Sequence, residues 1–366
     1  MQRRTFLQTG VLGFLSTRTA LASAPAAALA STTARRRGGP LRLNSNENPL
    51  GLSPAAQEAV IRGLAEANRY PHAAHRQMVE VLARHHAVAP EQIVLGAGSS
   101  EVLQMSVQAF AQQHATFVLA EPTFEDVQSY CEPWQLQLQR VPLRPDHSHD
   151  LARMRRIAEG ASGPVVVYVC NPNNPTGTLT PGKELDDWIE ASTDHVTFLV
   201  DEAYFEFAEG TPGFGSASQW IHKRTNVIVT RTFSKVHAMA GLRLGYGLAH
   251  SDTAARLRQL QSHNDINCLA MAAAQASLLD QEHLRLSLDT NSKSRLIVES
   301  VLQELGLGFL PSCANFVMHE IRGKLPDYIA HMRDAGILVG RPFPPMLGHN
   351  RLTLGTPEDM TRFAET

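Results

Sequence analysis

The stretch from Pro164 to Gly177, PVVVYVCNPNNPTG, leaves this chain little choice of architecture. Pro164-Val165-Val166-Val167-Tyr168-Val169 is apolar throughout and short, which reads as a buried strand. It runs into Cys170-Asn171-Pro172-Asn173-Asn174-Pro175-Thr176-Gly177, a loop with two Asn-Pro steps. In open α/β sheets, ligands bind at the carboxyl ends of the strands, where this loop sits.

Three more strand ends carry chemistry. Thr197 to Val200 is strand-like and ends at Asp201-Glu202-Ala203-Tyr204. A carboxylate at the end of a buried apolar strand needs a partner. Val227 to Val229 breaks into Thr230-Arg231-Thr232-Phe233-Ser234-Lys235; Arg243 follows eight residues later, then a second apolar run with Gly245 and Gly247. A lysine among hydroxyls with an arginine downstream suits an amine that attacks a carbonyl beside a phosphate cradle. The same string alone also fits a lysine in a surface turn. Ile93-Val94-Leu95 is a short strand entering Gly96-Ala97-Gly98-Ser99-Ser100-Glu101, then a helix to about Ala111. Strand, glycine-rich turn and helix N-terminus together offer free N–H groups to an anion.

Composition limits the rest. The chain has 366 residues, 43% hydrophobic and 19% charged, enough for two core-bearing lobes. A net charge of −2 supplies no basic field for nucleic acid. Cys131, Cys170, Cys268 and Cys313 match no metal spacing and read as buried thiols. At the N-terminus, Arg3-Arg4 precede Thr5-Phe6-Leu7, then a moderately apolar stretch and Ala28-Leu29-Ala30. This resembles a twin-arginine export signal over residues 1–30, with 31–40 as a loose tether. The apolar part is too short for a membrane span, so no stable insertion is expected and the destination is periplasmic, or cytoplasmic if the signal is unused. Helices are expected from Ser53-Pro54 to about Ala67, from Arg76 to His86, and over 270–279, 282–305 and 325–335. Thr116 to Leu119 reads as a strand and Leu43 to Leu50 as an ordered loop.

Thr232-Phe233-Ser234-Lys235 followed by Ala240-Gly241-Leu242-Arg243-Leu244-Gly245-Tyr246 resembles the lysine segment of the fold type I pyridoxal-phosphate aminotransferases. Among them it is most similar to the histidinol-phosphate aminotransferase family, with matching motifs from Leu43 to Met360. The resemblance implies an α/β fold: a large domain (71–270) with a mostly parallel seven-stranded sheet between helices, a smaller α+β domain (271–366), and an N-terminal arm that also forms part of the small domain (41–70).

It also implies the site. Lys235 holds the cofactor, Asp201 pairs the pyridine nitrogen, and Asn174 and Tyr204 serve the phenolic oxygen. Phe124, after Glu121-Pro122-Thr123, stacks on the ring. Gly98, Ser99, Ser100, Thr232, Ser234 and Arg243 form the phosphate cradle. Asn46, in Asn46-Glu47-Asn48-Pro49, lies over the substrate mouth. Arg351, in Arg351-Leu352-Thr353-Leu354-Gly355-Thr356, clamps a substrate anion, and Arg341 is the second substrate arginine. Tyr70 acts in trans in a homodimer.

The chain departs from the family pattern at Tyr70-Pro71-His72, at Val127 in place of a second aromatic, at Gly340 before Arg341, and at Pro342-Phe343-Pro344-Pro345-Met346. The expected activity moves an amino group from histidinol phosphate or an amino acid to a 2-oxo acid such as 2-oxoglutarate. Alternatives are an aminotransferase for aromatic or other amino acids, a threonine-phosphate decarboxylase, and a non-catalytic binder of the cofactor or of amino acids.

Overall fold

In the computed structural model, which describes residues 39–366, eleven strands organise the chain. The export pattern and residues 31–38 of the tether lie outside the described residues. The strands are β1 (Leu41–Leu43), β2 (Ile93–Gly96), β3 (Thr116–Glu121), β4 (Leu138–Pro142), β5 (Val165–Cys170) and β6 (Val196–Asp201). Then come β7 (Val227–Thr232), β8 (Gly245–Ala249), β9 (Phe316–Glu320), β10 (Ile337–Val339) and β11 (His349–Thr353).

β2 to β8 form one seven-stranded sheet in the order β2-β8-β7-β6-β5-β3-β4. Only β8 opposes its neighbours, β2 and β7; the other pairs are parallel. Side chains alternate across a strand, so a strand buried along its whole length must serve two cores. Val165, Val167, Val169, Phe198, Val200, Val227 and Val229 enter one core. Val166, Tyr168, Cys170, Leu199 and Ile228 enter the other. Fully burying such a side chain stabilises by roughly 1.5–3 kcal/mol, so a polar substitution at any of them disturbs both cover and sheet.

Register then places the chemistry. Cys170 pairs with Asp201, Asp201 with Thr230, Thr232 with Gly245, and Gly245 with Gly96. β2, β5, β6 and β7 therefore end at one edge, beside the start of the helix Ser99–Ala111. Tyr168, Cys170, Asp201 and Thr230 fall on the sheet face that this helix covers.

A third core unites Leu41, Leu43, Val298, Leu302, Val317, Met332, Ile337, Val339, Leu352 and Phe363. β1 pairs parallel with β10, and β11 antiparallel with β9. The helix Gln281–Glu304 joins this group to the arm: Ser287 Oγ accepts from Asn48, while Val298 and Leu302 enter the third core.

Several expected boundaries move. Leu43 ends strand β1 rather than opening a loop, because pairing with Val339 satisfies its backbone. The helix expected from Arg76 starts at His72, directly after Pro71. The helix expected to reach Ala67 stops at Gly63 and tightens into a 3-10 turn, Leu64–Glu66. Its start is as read: Ser53 Oγ accepts from Ala56 N at 3.1 Å, with proline at the first helical position. Among the described residues, no helix is long and apolar enough to cross a membrane.

Candidate active site

Two adjoining cavities open at the carboxyl edge of the sheet. The inner one, about 160 Å³, is bounded by Ser99, Ser100, Phe124, Asn174, Asp201, Tyr204, Thr232, Ser234, Lys235 and Arg243, among others. The outer one, about 200 Å³, shares Phe124, Asn174 and Lys235 with it and adds Asn46, Glu125, Arg341, Phe343 and Arg351. The fold thus brings all but two of the residues singled out in the sequence to these two walls. Gly98, next to Ser99 in the chain, and Tyr70, 77% exposed, are the two that line neither cavity.

Asp201 closes β6 in nearly complete burial. Its Oδ2 accepts from Tyr168 Oη at 3.0 Å; its Oδ1 accepts from Thr230 Oγ1 at 3.1 Å and Ala203 N at 3.2 Å. Among the described residues no cation pairs with it. Desolvation dominates these hydrogen bonds and raises its pKa to about 6. The site therefore holds a buried carboxylate still lacking a positive partner.

Asn174 and Tyr204 show which of their atoms are committed. Arg351 Nη1 donates to Asn174 Oδ1 at 2.7 Å. A guanidinium has no acceptor, so this contact fixes the amide orientation and leaves Asn174 Nδ2 as the cavity's donor. Asn46 Nδ2 donates to Tyr204 Oη at 2.8 Å, so the phenol proton is likewise available. Asn46 is itself buried and bonded through every polar group: to Thr353 Oγ1 from its backbone N, from Thr353 Oγ1 to its Oδ1, and from Asn315 to its carbonyl.

Lys235 Nζ lies 5.5 Å from the centre of the Tyr204 ring. Burial, reinforced by the Arg351 charge, lowers its pKa to about 8. Asn48 Nδ2 donates to Val236 O and pins the segment next to the lysine.

The far end of the inner cavity is built for an anion. Ser99 begins a 13-residue helix, whose first N–H groups lack intrahelical partners. Thr232 Oγ1 donates to Ser234 Oγ at 2.9 Å, and Arg243 Nη1 reaches Ser234 Oγ at 3.4 Å. Ser100 Oγ is already engaged by Asp126 at 3.2 Å, leaving its backbone N–H as the simpler contact. Gly98 has φ +85, and a Cβ there would overlap the Arg243 guanidinium. A Cβ on Gly245 would overlap Ser99 N, so this glycine lets β8 pass beneath the turn.

In the outer cavity Arg351 also donates to Asn44 O at 2.9 Å, while its Nε has no partner among the described residues. Burial lowers its pKa to about 10, which leaves it charged at neutral pH. Arg341 is exposed and forms an ion pair with Glu125. Phe343 lies between the two arginines, its ring centre 4.2 Å from the Arg341 guanidinium carbon and 4.6 Å from that of Arg351. The unusual Gly340 has a packing cause: a Cβ would overlap Arg351 O where β10 passes β11. Val127 is fully buried in the sheet's second core and lines neither cavity.

Sequence reasoning missed three contributors: the Tyr168 hydroxyl, Glu125 and Thr353. Glu125 directly follows Phe124, so its place at the mouth was the most accessible of these. Tyr168 sits one strand from Asp201 at a position that reads only as apolar filler. No group of three histidine, cysteine, aspartate or glutamate side chains among the described residues is placed to hold a metal.

A buried carboxylate without a cation, a weakly basic amine, two donors beside it and an anion cradle together fit a phosphorylated pyridine carbonyl compound. The comparisons with known proteins agree with this chemistry. The aminotransferase class I and II family model matches residues 39–366. The histidinol-phosphate aminotransferase of Akkermansia muciniphila is 34% identical over 331 residues, covering 89% of this chain and 88% of the relative. That of Methylococcus capsulatus, histidinol-phosphate aminotransferase 2, is 35% identical over 331 residues, covering 88% of each. The crystal structure of histidinol-phosphate aminotransferase from Sinorhizobium meliloti, in complex with pyridoxal-5'-phosphate, superposes with a TM-score of 0.83 at 26% identity, covering 94% of each chain.

Proposed function

This chain belongs to the aminotransferase class I and II family and is a pyridoxal-phosphate-dependent aminotransferase, and we propose that its amino donor is histidinol phosphate. The acceptor in this reading is a 2-oxo acid such as 2-oxoglutarate. The observation that carries it is the placement of Lys235 between a cation-less carboxylate, Asp201, and an arginine pair, Arg351 and Arg341. The names of the relatives supply the donor.

Bound pyridoxal phosphate supplies an electron sink for the pair left when a proton leaves the carbon bearing the amino group. Asp201 would pair with the pyridine N–H of the bound cofactor and keep the proton there. Asn174 Nδ2 and the Tyr204 hydroxyl would donate to the phenolic oxygen, and Phe124 would cover the ring. The Ser99 and Ser100 N–H groups, Thr232, Ser234 and Arg243 hold the phosphate. Lys235 would attach the cofactor, and its Nζ would hold and move the proton at the reacting carbon. Arg351 orients the substrate's anionic group by paired N–H donation. Tyr70, too exposed to serve its own cavity, completes the partner subunit's phosphate end in a homodimer.

In this arrangement Gly98→Ala strains a φ +85 backbone and pushes Arg243 out of the cradle. Strain of about 1–3 kcal/mol expressed at the cofactor's phosphate corresponds to a roughly five- to 140-fold loss of cofactor affinity. Fluorescence titration of the cofactor-free protein reads this directly; an unchanged dissociation constant would remove Gly98 from the cradle.

The donor is tested by adding histidinol phosphate, glutamate and aromatic amino acids singly to the loaded enzyme and following the visible cofactor band. Fastest bleaching by histidinol phosphate supports the reading. Bleaching only by other amino acids would replace it with a second reading, a general or aromatic aminotransferase. That second reading is favoured by Glu125, which already neutralises Arg341. It also suits the twin-arginine pattern, since an exported enzyme would seldom meet a cytoplasmic biosynthetic intermediate. Export itself is tested by fractionation: chain that stays with cytoplasmic markers despite an intact Arg3-Arg4 pair would rule it out.

A further inference from the structure

We infer that Glu125 is a displaceable counter-ion for Arg341, and that it sets how strongly the site prefers substrates bearing a second anionic group. This rests on the aminotransferase reading and deepens it. Glu125 follows the ring-covering Phe124 and precedes the short helix Asp126–Cys131, so its backbone is tied to the cofactor wall. Its two carboxylate oxygens face the two terminal nitrogens of Arg341, with Nη1 to Oε1 at 3.4 Å and a closer contact from Nη2 to Oε2. Both residues line the outer cavity together with Lys235 and Arg351.

Arg341 is held in place from behind. Phe343 is wedged between its guanidinium and that of Arg351, and Arg341 Nη1 also donates to Pro342 O at 2.9 Å. The cation therefore stays at the mouth whether or not Glu125 remains on it. The side chains of Arg341 and Glu125 are 55% and 47% exposed. Water screens such a pair, so its strength is small and an incoming anion can exchange for the carboxylate. Arg351, by contrast, is buried and bonded to Asn174 and Asn44. The outer cavity thus offers one permanent anion site and one site that a built-in carboxylate contests.

A substrate with one anionic group uses Arg351 and leaves the Glu125–Arg341 pair closed. A substrate with two must displace Glu125 and then tolerate that carboxylate nearby. The device lets one cavity accept a donor with an uncharged far end and a dicarboxylic 2-oxo acid in alternate half-reactions. Glu125 stands directly before the helix Asp126–Cys131, and its carboxylate matters because Arg341 lies against it.

The test compares substrates that share the reacting end. With Glu125→Gln, the ratio of kcat/KM for 2-oxoglutarate to that for pyruvate is expected to rise about two- to fivefold, the range of an exposed ion pair. The ratio for histidinol phosphate over histidinol, which differ only in the single anionic group that Arg351 takes, stays unchanged. The calorimetric dissociation constant of succinate, which binds without reacting, falls by a similar factor, while that of acetate stays unchanged. In an Arg341→Gln background the Glu125→Gln change should add nothing. An unchanged ratio of 2-oxoglutarate to pyruvate in an active Glu125→Gln enzyme would overturn the inference. So would a selective loss of donors with a cationic far end, which would mean that Glu125 contacts substrate directly. Failure of the wild-type enzyme to transfer any amino group would instead sink the aminotransferase reading.

Discussion

Lys235→Ala is expected to lower turnover by about 10²–10⁴-fold, the range lost when a positioned proton-transfer group is removed, and to abolish the visible cofactor band. Both effects follow from one atom. Nζ is the amine lining the inner cavity, and in the proposed mechanism it would both attach the cofactor and carry the proton. Arg243 and Arg351 cannot stand in, because a guanidinium stays protonated. Most of the phosphate cradle and the Asp201 hydrogen bond remain, so non-covalent cofactor binding should survive while the band is lost. The lysine's environment adds a pH signature. Its pKa is lowered to about 8, chiefly by desolvation. The neutral amine is the nucleophile, so capture of the cofactor by cofactor-free protein should accelerate as pH rises and level off above about 8. A midpoint near 10.5 would show that burial does not tune this amine; full activity in Lys235→Ala would remove it from the reaction.

What the sequence exposed and what it hid divide along physical lines. Lys235, Asp201 and Asn174 were legible because each follows a short apolar strand that can only be buried, and polar groups at such strand ends need a reason. The Ser99 turn was legible because glycines before a helix have a mechanical meaning. Hidden were the interactions joining residues far apart in the chain. Asn46 meets Tyr204 across 158 positions, and Arg351 meets Asn174 across 177. No periodicity encodes such pairs. β1 escaped notice because three residues pairing with β10 carry too little pattern to distinguish strand from loop. Gly340 looked like an insertion and proves to be a packing requirement, since only the fold shows that Arg351 lies against it. Tyr168 read as filler because the partner that gives its hydroxyl meaning sits on the next strand.

Asp201→Asn should separate activity from stability, moving them in opposite directions. In the cofactor-free protein the carboxylate is desolvated without a cation, and its folded pKa is about 6 against an ordinary 3.8. A raised acid contributes stability fully below the unfolded value and loses it as pH rises through the folded one. Above pH 6 the ionised Asp201 therefore weakens the cofactor-free fold, by an amount on the order of 3 kcal/mol. Asparagine removes that charge and keeps the shape. Its Oδ1 can still accept from Thr230 and Ala203, and the Tyr168 hydroxyl can turn to accept from Nδ2. Cofactor-free Asp201→Asn is thus expected to melt higher than wild type at pH 7, with the gain vanishing toward pH 4. Activity should fall by about 10²–10³-fold, the usual loss when one preorganised electrostatic partner is removed. An amide no longer favours a proton on the pyridine nitrogen, so the ring loses much of its capacity to take up the electron pair. Cofactor binding should also cease to stabilise the variant as strongly, because the unpaired charge that the pyridine N–H would satisfy is gone. A variant that melts lower in the cofactor-free state at pH 7 would mean the three hydrogen bonds outweigh desolvation. A variant that keeps wild-type turnover would mean Asp201 does not face the ring nitrogen.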